Sequence, residues 1–137
     1  MASDTGIYCR EENTLQLNIT TDYAIRLILY LATVRRAAGS AEISDAMSIP
    51  RGQFGAISKP LRKHGIIDTQ RGTNGGYLLA KRPEDISLHE IINIMEPITR
   101  INRCLEPGAP CSRHAADTCP VRKFYVHVQE CLDTAFA

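Results

Sequence analysis

The segment from Ile66 to Lys81 constrains the fold most, because it has to double back on itself. IIDTQ (66–70) and YLLAK (77–81) read as two short strands, and RGTNGG (71–76) between them is a glycine-rich hairpin tip. Gly72, Gly75 and Gly76 permit tight turning and close backbone approach there. What precedes the hairpin is helical. TDYAIRLILYLATVRRA, from Thr21, is apolar over most of its length and predicts a helix buried on several faces. Thr20 or Thr21 is its expected cap, with Asp22 in the first turn, where a carboxylate suits the helix dipole. AEISDAM, after Gly39-Ser40, predicts a second helix of about two turns. In SIPRGQFGAISKPLRKHG, Phe54, Ile57 and Leu61 recur at helical spacing, and Arg51, Gln53, Lys59, Arg62 and Lys63 fall mostly on other faces. Gly65 stops this third helix, and Pro60 inside it predicts a kink or an early end.

Three helices followed by a two-stranded hairpin is the order of a winged helix-turn-helix. The fold class expected is therefore mainly α with a small β-hairpin wing, with a long terminal helix appended. Charge adds a function to the shape. Residues 44–82 hold seven Lys/Arg against Asp45 and Asp68, a local balance of +5, whereas the whole chain carries only +1. A basic segment in an otherwise acidic chain points to a polyanion-facing surface, the competing reading being a solvated charged face. In a winged helix the third helix, near 51–64, enters the major groove and the hairpin touches an adjacent groove or backbone. Arg71 at the base of the wing can then reach a narrow minor groove. A winged helix that binds only protein is the alternative.

The chain's 137 residues fit one domain with an appended element. Residues 1–14 show no periodicity and are expected to form a flexible tail, with Cys9 incidental. The winged domain is expected over 15–97, closed by the helix SLHEIINIM, for which Ser87 and Glu90 form a capping-box pattern and Pro97 a stop. A cysteine-bearing loop, 98–119, and a dimerisation helix, 120–137, complete the division. In that last helix Cys119 stands at the N-cap and Pro120 at the first position. Val121, Phe124, Val128, Cys131 and Ala135 step by threes and fours, so the helix needs a cover, and a second copy in a twofold homodimer is the natural one. No 18-residue apolar run exists and no secretory signal is visible, so no membrane partner and a cytoplasmic location are expected.

The loop RCLEPGAPCSRHAADTCP holds Cys104, Cys111 and Cys119 with spacing C-x6-C-x7-C. Structural zinc sites present tight C-x2–4-C knuckles, and none occurs here. Ferredoxin runs are also more closely spaced. In a reducing compartment a disulfide framework is disfavoured. Three loop thiols remain able to wrap a cluster, and Cys119 gains thiolate character from the helix N-terminus. A disulfide switch between two of them, three idle thiols, and a thiol enzyme using His114 or His127 stand as alternatives; the last lacks any recognisable base motif.

LQLNITTDYAIRLILYLA, LRKHGIIDTQRGTNGGYLLAK and three cysteines before a final helix resemble the NsrR/IscR family of bacterial iron–sulfur transcription regulators, over roughly residues 15–137. TDYAIR and RGTNGGYLL carry the resemblance most specifically. It implies a homodimeric regulator, of repressor type, that binds a double-stranded DNA operator and senses nitric oxide or redox state, without enzymatic activity. It also implies an iron–sulfur cluster on Cys104, Cys111 and Cys119, four-iron in first place and two-iron in second. In the IscR-like branch a histidine follows the third cysteine; here CPVRKF has none before His127. The NsrR-like branch instead takes an aspartate of the first helix of the other subunit, and Asp22 stands at that position, with His114 its competitor within the loop. Relatives place base-contacting side chains where this chain has Gly52, Gly55 and Ala56. Arg51 and Gln53 are therefore the expected base readers, Lys59 and Lys63 the phosphate contacts, and Arg71, Gly72, Asn74 and Gly75 the wing contacts.

Overall fold

A computed structural model describes residues 16–137. The expected tail 1–14 and Cys9 lie outside the described residues. Five helices and one hairpin follow in the order α1 (Ile19–Val34), α2 (Ser40–Met47), α3 (Phe54–Lys63), β1 (Ile67–Gln70), β2 (Gly76–Leu79), α4 (Leu88–Met95) and α5 (Pro120–Phe136). Short 3-10 turns at Arg51–Gln53, Pro83–Asp85 and Arg103–Leu105 join them.

Helix α1 starts two to three residues earlier than the threonines imply. Asn18 is its N-cap, and the Asn18 side chain accepts a hydrogen bond from the Thr20 N–H. Thr21, expected as a cap, is instead buried and donates its hydroxyl to Glu96 Oε1 at 2.6 Å. The same oxygen accepts the Asn18 N–H at 2.7 Å, so the carboxylate after α4 closes the start of α1. One face of α1 is buried, through Ala24, Leu27, Ile28 and Leu31. Ile19 and Leu29 stay exposed on the opposite side, so burial on several faces is not what the single chain achieves.

The core lies between α1, α3, α4 and the hairpin. Leu27, Leu31, Ile43, Ile57, Leu61, Ile66 and Ile67 are all buried to 2 % exposure or less. Phe54, Ile57 and Leu61 occupy the inner face of α3, as their spacing requires. Pro60 does not end that helix, which runs three residues further to Lys63. The carbonyl its missing N–H leaves free belongs to Ala56, which is exposed, and water can satisfy it there. Gly65, at φ +69°, then reverses the chain with Gly65 N–H to Arg62 O and Ile66 N–H to Leu61 O.

The hairpin pairs Ile67 with Leu79 and Gln70 with Gly76 in antiparallel register. β2 is shorter than YLLAK, although Ala80 N–H still reaches Ile66 O at 2.9 Å. A third segment joins it. Ala38, between α1 and α2, exchanges two backbone hydrogen bonds with Tyr77, of 2.9 and 2.8 Å. Gly76 makes this approach feasible, since a Cβ there would lie 2.2 Å from Ala38 O. The Tyr77 ring packs against Phe54 of α3, 5.9 Å between centroids. Wing, α3 and the α1–α2 corner thus form one packed unit.

α4 carries the expected Ser87 cap, whose hydroxyl accepts Glu90 N–H at 3.1 Å. The Glu90 carboxylate does not reach back to complete the box, because Lys81 holds it at 2.5 Å. Among the described residues no helix is long and apolar enough to cross a membrane.

Candidate DNA-binding face and cysteine loop

Arg51 and Gln53 sit in the 3-10 turn that opens α3, both exposed. Arg51 makes a loose contact of 3.6 Å with Asp45, itself well exposed, which leaves the guanidinium free to exchange partners. Lys59 and Lys63 lie on the outer face of α3, exposed and without an ion pair among the described residues. Arg71, Gly72 and Asn74 are exposed at the tip of the wing, where Gly75 N–H bonds Gly72 O at 3.0 Å. A Cβ on Gly75 would lie 2.3 Å from Gln70 O, so the tip admits glycine alone at that place. The expected contact residues therefore occupy two outward surfaces, the start and outer side of α3 and the wing tip, on one rigid unit.

The cysteine loop is built differently. Cys104 lies in the turn Arg103–Leu105, where its N–H is accepted by Asn102 Oδ1 at 3.1 Å. Cys119 is the N-cap of α5, with its sulfur accepting Arg122 N–H at 3.5 Å. At Cys111 the backbone N–H groups of Ala115 and Arg113, with a smaller contribution from the Arg113 charge, hold the thiol below its usual range. All three thiols are free and partly buried, and those of Cys111 and Cys119 sit beside backbone donors. His114 is exposed, with its backbone in the left-handed region at φ 50°. His127 and Cys131, an exposed pair one turn apart on α5, approach to 3.9 Å.

Their donor chemistry fits a thiolate-ligated iron–sulfur cluster. Their placement within one chain does not yet make a site: among the described residues no three His, Cys, Asp or Glu side chains gather at metal-binding distance. Asp22 is on the outer face of α1, half exposed and paired with Arg26 at 2.7 Å. It shares that face, at steps of three and four, with Ile19, Arg26 and Leu29.

The residues that fasten the loop escaped the sequence reading. Gln129 is the one fully buried residue of α5. Its side-chain oxygen accepts Ile101 N–H at 2.9 Å, and its amide nitrogen donates to Thr99 O and to Asp133 Oδ1. Arg100 adds an ion pair to Asp133 at 3.3 Å. The first residues of the loop, 99–101, are thereby tied to the middle of α5. A lone glutamine among apolar steps is the only signal the sequence offered for it. The opposite side of α5 is uncovered, with Val121 53 % and Phe124 62 % exposed.

Three helices, a stitched wing and an outward basic surface define a winged helix-turn-helix DNA-binding protein. Residues 17–137 match the Rrf2 family, described as iron-dependent transcriptional regulators. The chain belongs to that family, a family of transcription regulators and not of enzymes. It is 34 % identical to the HTH-type transcriptional regulator NsrR of Shouchella clausii over 92 residues, 66 % of this chain and 62 % of that protein. A similarly named NsrR of Halalkalibacterium halodurans is 31 % identical over 107 residues, 77 % of this chain and 68 % of the other. The chain thus spans somewhat under two thirds of the first relative's length. In fold it superposes on CymR, the global cysteine regulator of Bacillus subtilis, with a TM-score of 0.73 at 20 % identity over 90 % of both chains. T. potens IscR follows with 0.68 at 21 % identity, covering 89 % of this chain and 80 % of that one.

Proposed function

We propose that this chain is a cytoplasmic, homodimeric repressor that binds an operator through α3 and the wing and senses nitric oxide or redox state through an iron–sulfur cluster. The division into a winged domain (15–97), a cluster loop (98–119) and a dimerisation helix (120–137) belongs to the same reading. The observation that carries it is the contrast in α5: a polar face bound to the loop through Gln129, and an apolar face left exposed among the described residues. A second copy is the cover that suits the bare face, and its arrival would bring α1 of one protomer near the loop of the other. Cys104, Cys111 and Cys119 would then supply three thiolates, and Asp22 of the opposite protomer a carboxylate. The cluster is four-iron by preference and two-iron otherwise; when bound, it supplies the centre at which a small oxidant or nitric oxide reacts. A carboxylate is a hard, displaceable ligand to iron beside three thiolates, which suits a reactive centre. Because the loop hangs from Gln129, any rearrangement of its thiols pulls on α5 and on whatever α5 covers. That is a coupling between two sites of the same dimer.

In this reading Arg51 and Gln53 contact bases, Lys59 and Lys63 contact phosphates, and Arg71, Gly72, Asn74 and Gly75 form the wing contact. Anaerobically purified protein should be coloured, with an iron absorption band that nitric oxide bleaches and that Cys111→Ala abolishes. Colourless protein that takes up zinc but no iron on reconstitution would sink the cluster. A second reading, a disulfide switch between two loop thiols, draws on the depressed Cys111 thiol. It predicts a two-dalton mass loss per bridge in iron-free protein treated with peroxide.

A further inference from the structure

Beside the wing lies a cleft that shares Asn74 and Gly75 with the wing contacts above and adds a wall outside the wing. It has a volume of about 930 Å³ and runs between the corner Arg35, Arg36, Ala37, Gly39 and the wing residues Gln70, Thr73, Asn74 and Gly75. The Ala38–Tyr77 bonds and the close fit of Gly76 fasten corner to wing, so the two walls move as one body. Whatever the wing touches, this corner flanks.

The two arginines of the corner differ. Arg36 is committed: its guanidinium pairs with Glu42 at 2.5 Å, and Tyr30 donates to the same carboxylate at 2.7 Å. Those bonds occupy the Glu42 charge, the one carboxylate lining the cleft. Arg35 is exposed and forms no ion pair among the described residues. It also occupies a costly position. As the C-cap of α1 it is left-handed, at φ 50° and ψ 36°, a conformation that favours glycine over a residue with a Cβ. Its backbone N–H caps α1 through Leu31 O, while its guanidinium stands exposed beside a wing rich in neutral hydrogen-bonding groups, a place open to an anion.

We infer that Arg35 is a DNA-backbone contact: with Thr73 and Asn74 across the cleft it clamps a phosphodiester group of the duplex that the wing engages, and Arg36 lines the same wall. This rests on the DNA-binding reading above and adds to it a contact outside α3 and the wing. A phosphate there gains charge-assisted hydrogen bonds from the guanidinium, and its counterion is released to solvent.

The test uses the full-length protein and a random-sequence 40-base-pair duplex, with affinity measured by fluorescence anisotropy across a salt series. Arg35→Gly removes the charge and relieves the backbone, so its melting temperature should equal or exceed that of the unsubstituted protein. Its log–log salt slope should nevertheless fall in magnitude by about 0.9 per bound protomer, the release expected for one lost phosphate contact. Arg35→Lys should keep the slope, and Lys123→Ala on α5 should leave it unchanged. An Arg35→Gly slope equal to that of the unsubstituted protein would overturn the inference while leaving the DNA-binding reading intact. Absence of any salt-dependent binding by the unsubstituted protein would remove both. Saturable binding of inorganic phosphate alone, lost in Arg35→Gly, would assign the cleft to a free anion and overturn the duplex contact.

Discussion

The winged domain and the C-terminal region of this chain are held together by opposite means. In the first, apolar side chains from α1, α2, α3, α4 and the hairpin close a continuous core, with Leu27, Ile43, Ile57, Leu61 and Ile66 at 0 % exposure. In the second, the one fully buried residue of α5 is a glutamine, and the large apolar side chains Val121 and Phe124 point to solvent. The difference teaches what each region still needs. Burial has already completed the first, so its geometry is available as a rigid reading head. The second leans on the Gln129 hydrogen bonds and the Arg100–Asp133 ion pair, with its apolar side chains only half buried, and each such hydrogen bond contributes only about 1 kcal/mol net. On the proposed reading, such a region takes up a partner copy and a group on its thiols, and can respond without unfolding the part that reads DNA.

Breaking the core should have the largest effect. Leu61→Ala removes a fully buried side chain from α3, and about 3 kcal/mol of unfolding free energy should go with it. Urea denaturation checks this; a loss below about 1 kcal/mol would mean that the core is looser than its burial implies. Phe124→Glu tests the other side. It places a charge on the bare face of α5, so sedimentation velocity should show monomer in place of dimer, with the urea midpoint of the winged domain little changed. A dimer that persists would move the interface off this helix.

The split between the regions also explains how much could be read without a structure. α3 and its inner face follow from Phe54, Ile57 and Leu61, because a 3.6-residue period is a property of neighbouring residues. The wing follows from RGTNGG for the same local reason. The links between distant segments left no such trace. Nothing near Ala38 announces that its backbone pairs with Tyr77, and nothing near Glu96 announces that it caps a helix 75 residues earlier. Of the two outcomes Pro60 suggested, the early end does not occur, since a helix whose apolar face is buried tolerates one missing donor when the freed carbonyl is wet. The cysteine spacing suggested a site without giving its geometry, and among the described residues of one chain no three potential metal ligands gather.

Gln129→Ala sharpens the comparison where the two regions meet. It leaves Ile101 N–H and Thr99 O without partners, so amide exchange at Ile101 should accelerate by an order of magnitude or so, while exchange in the hairpin stays the same. Equal protection at Ile101 would mean that the loop is fixed by contacts other than the glutamine.

The smallest effect is expected from a polar link inside the winged domain itself. The Arg36 guanidinium first, and the Tyr30 hydroxyl second, hold the Glu42 carboxyl below its ordinary range. A carboxylate depressed by folding stabilises the native state above its unfolded pKa, and that contribution is lost as pH falls through the lower, folded value. The melting temperature of the unsubstituted protein should therefore exceed that of Glu42→Gln above the ordinary carboxylate range, and the gap should narrow as the pH falls below that range. A gap that stays constant would show that Glu42 acts there through shape and not through charge. Because the three side chains lie near the surface, solvent screens them and the gap should be small beside that of Leu61→Ala. That ordering is what a core built on apolar burial demands: these polar links tie α1, the corner and α2 to one another, and the domain's stability comes from elsewhere.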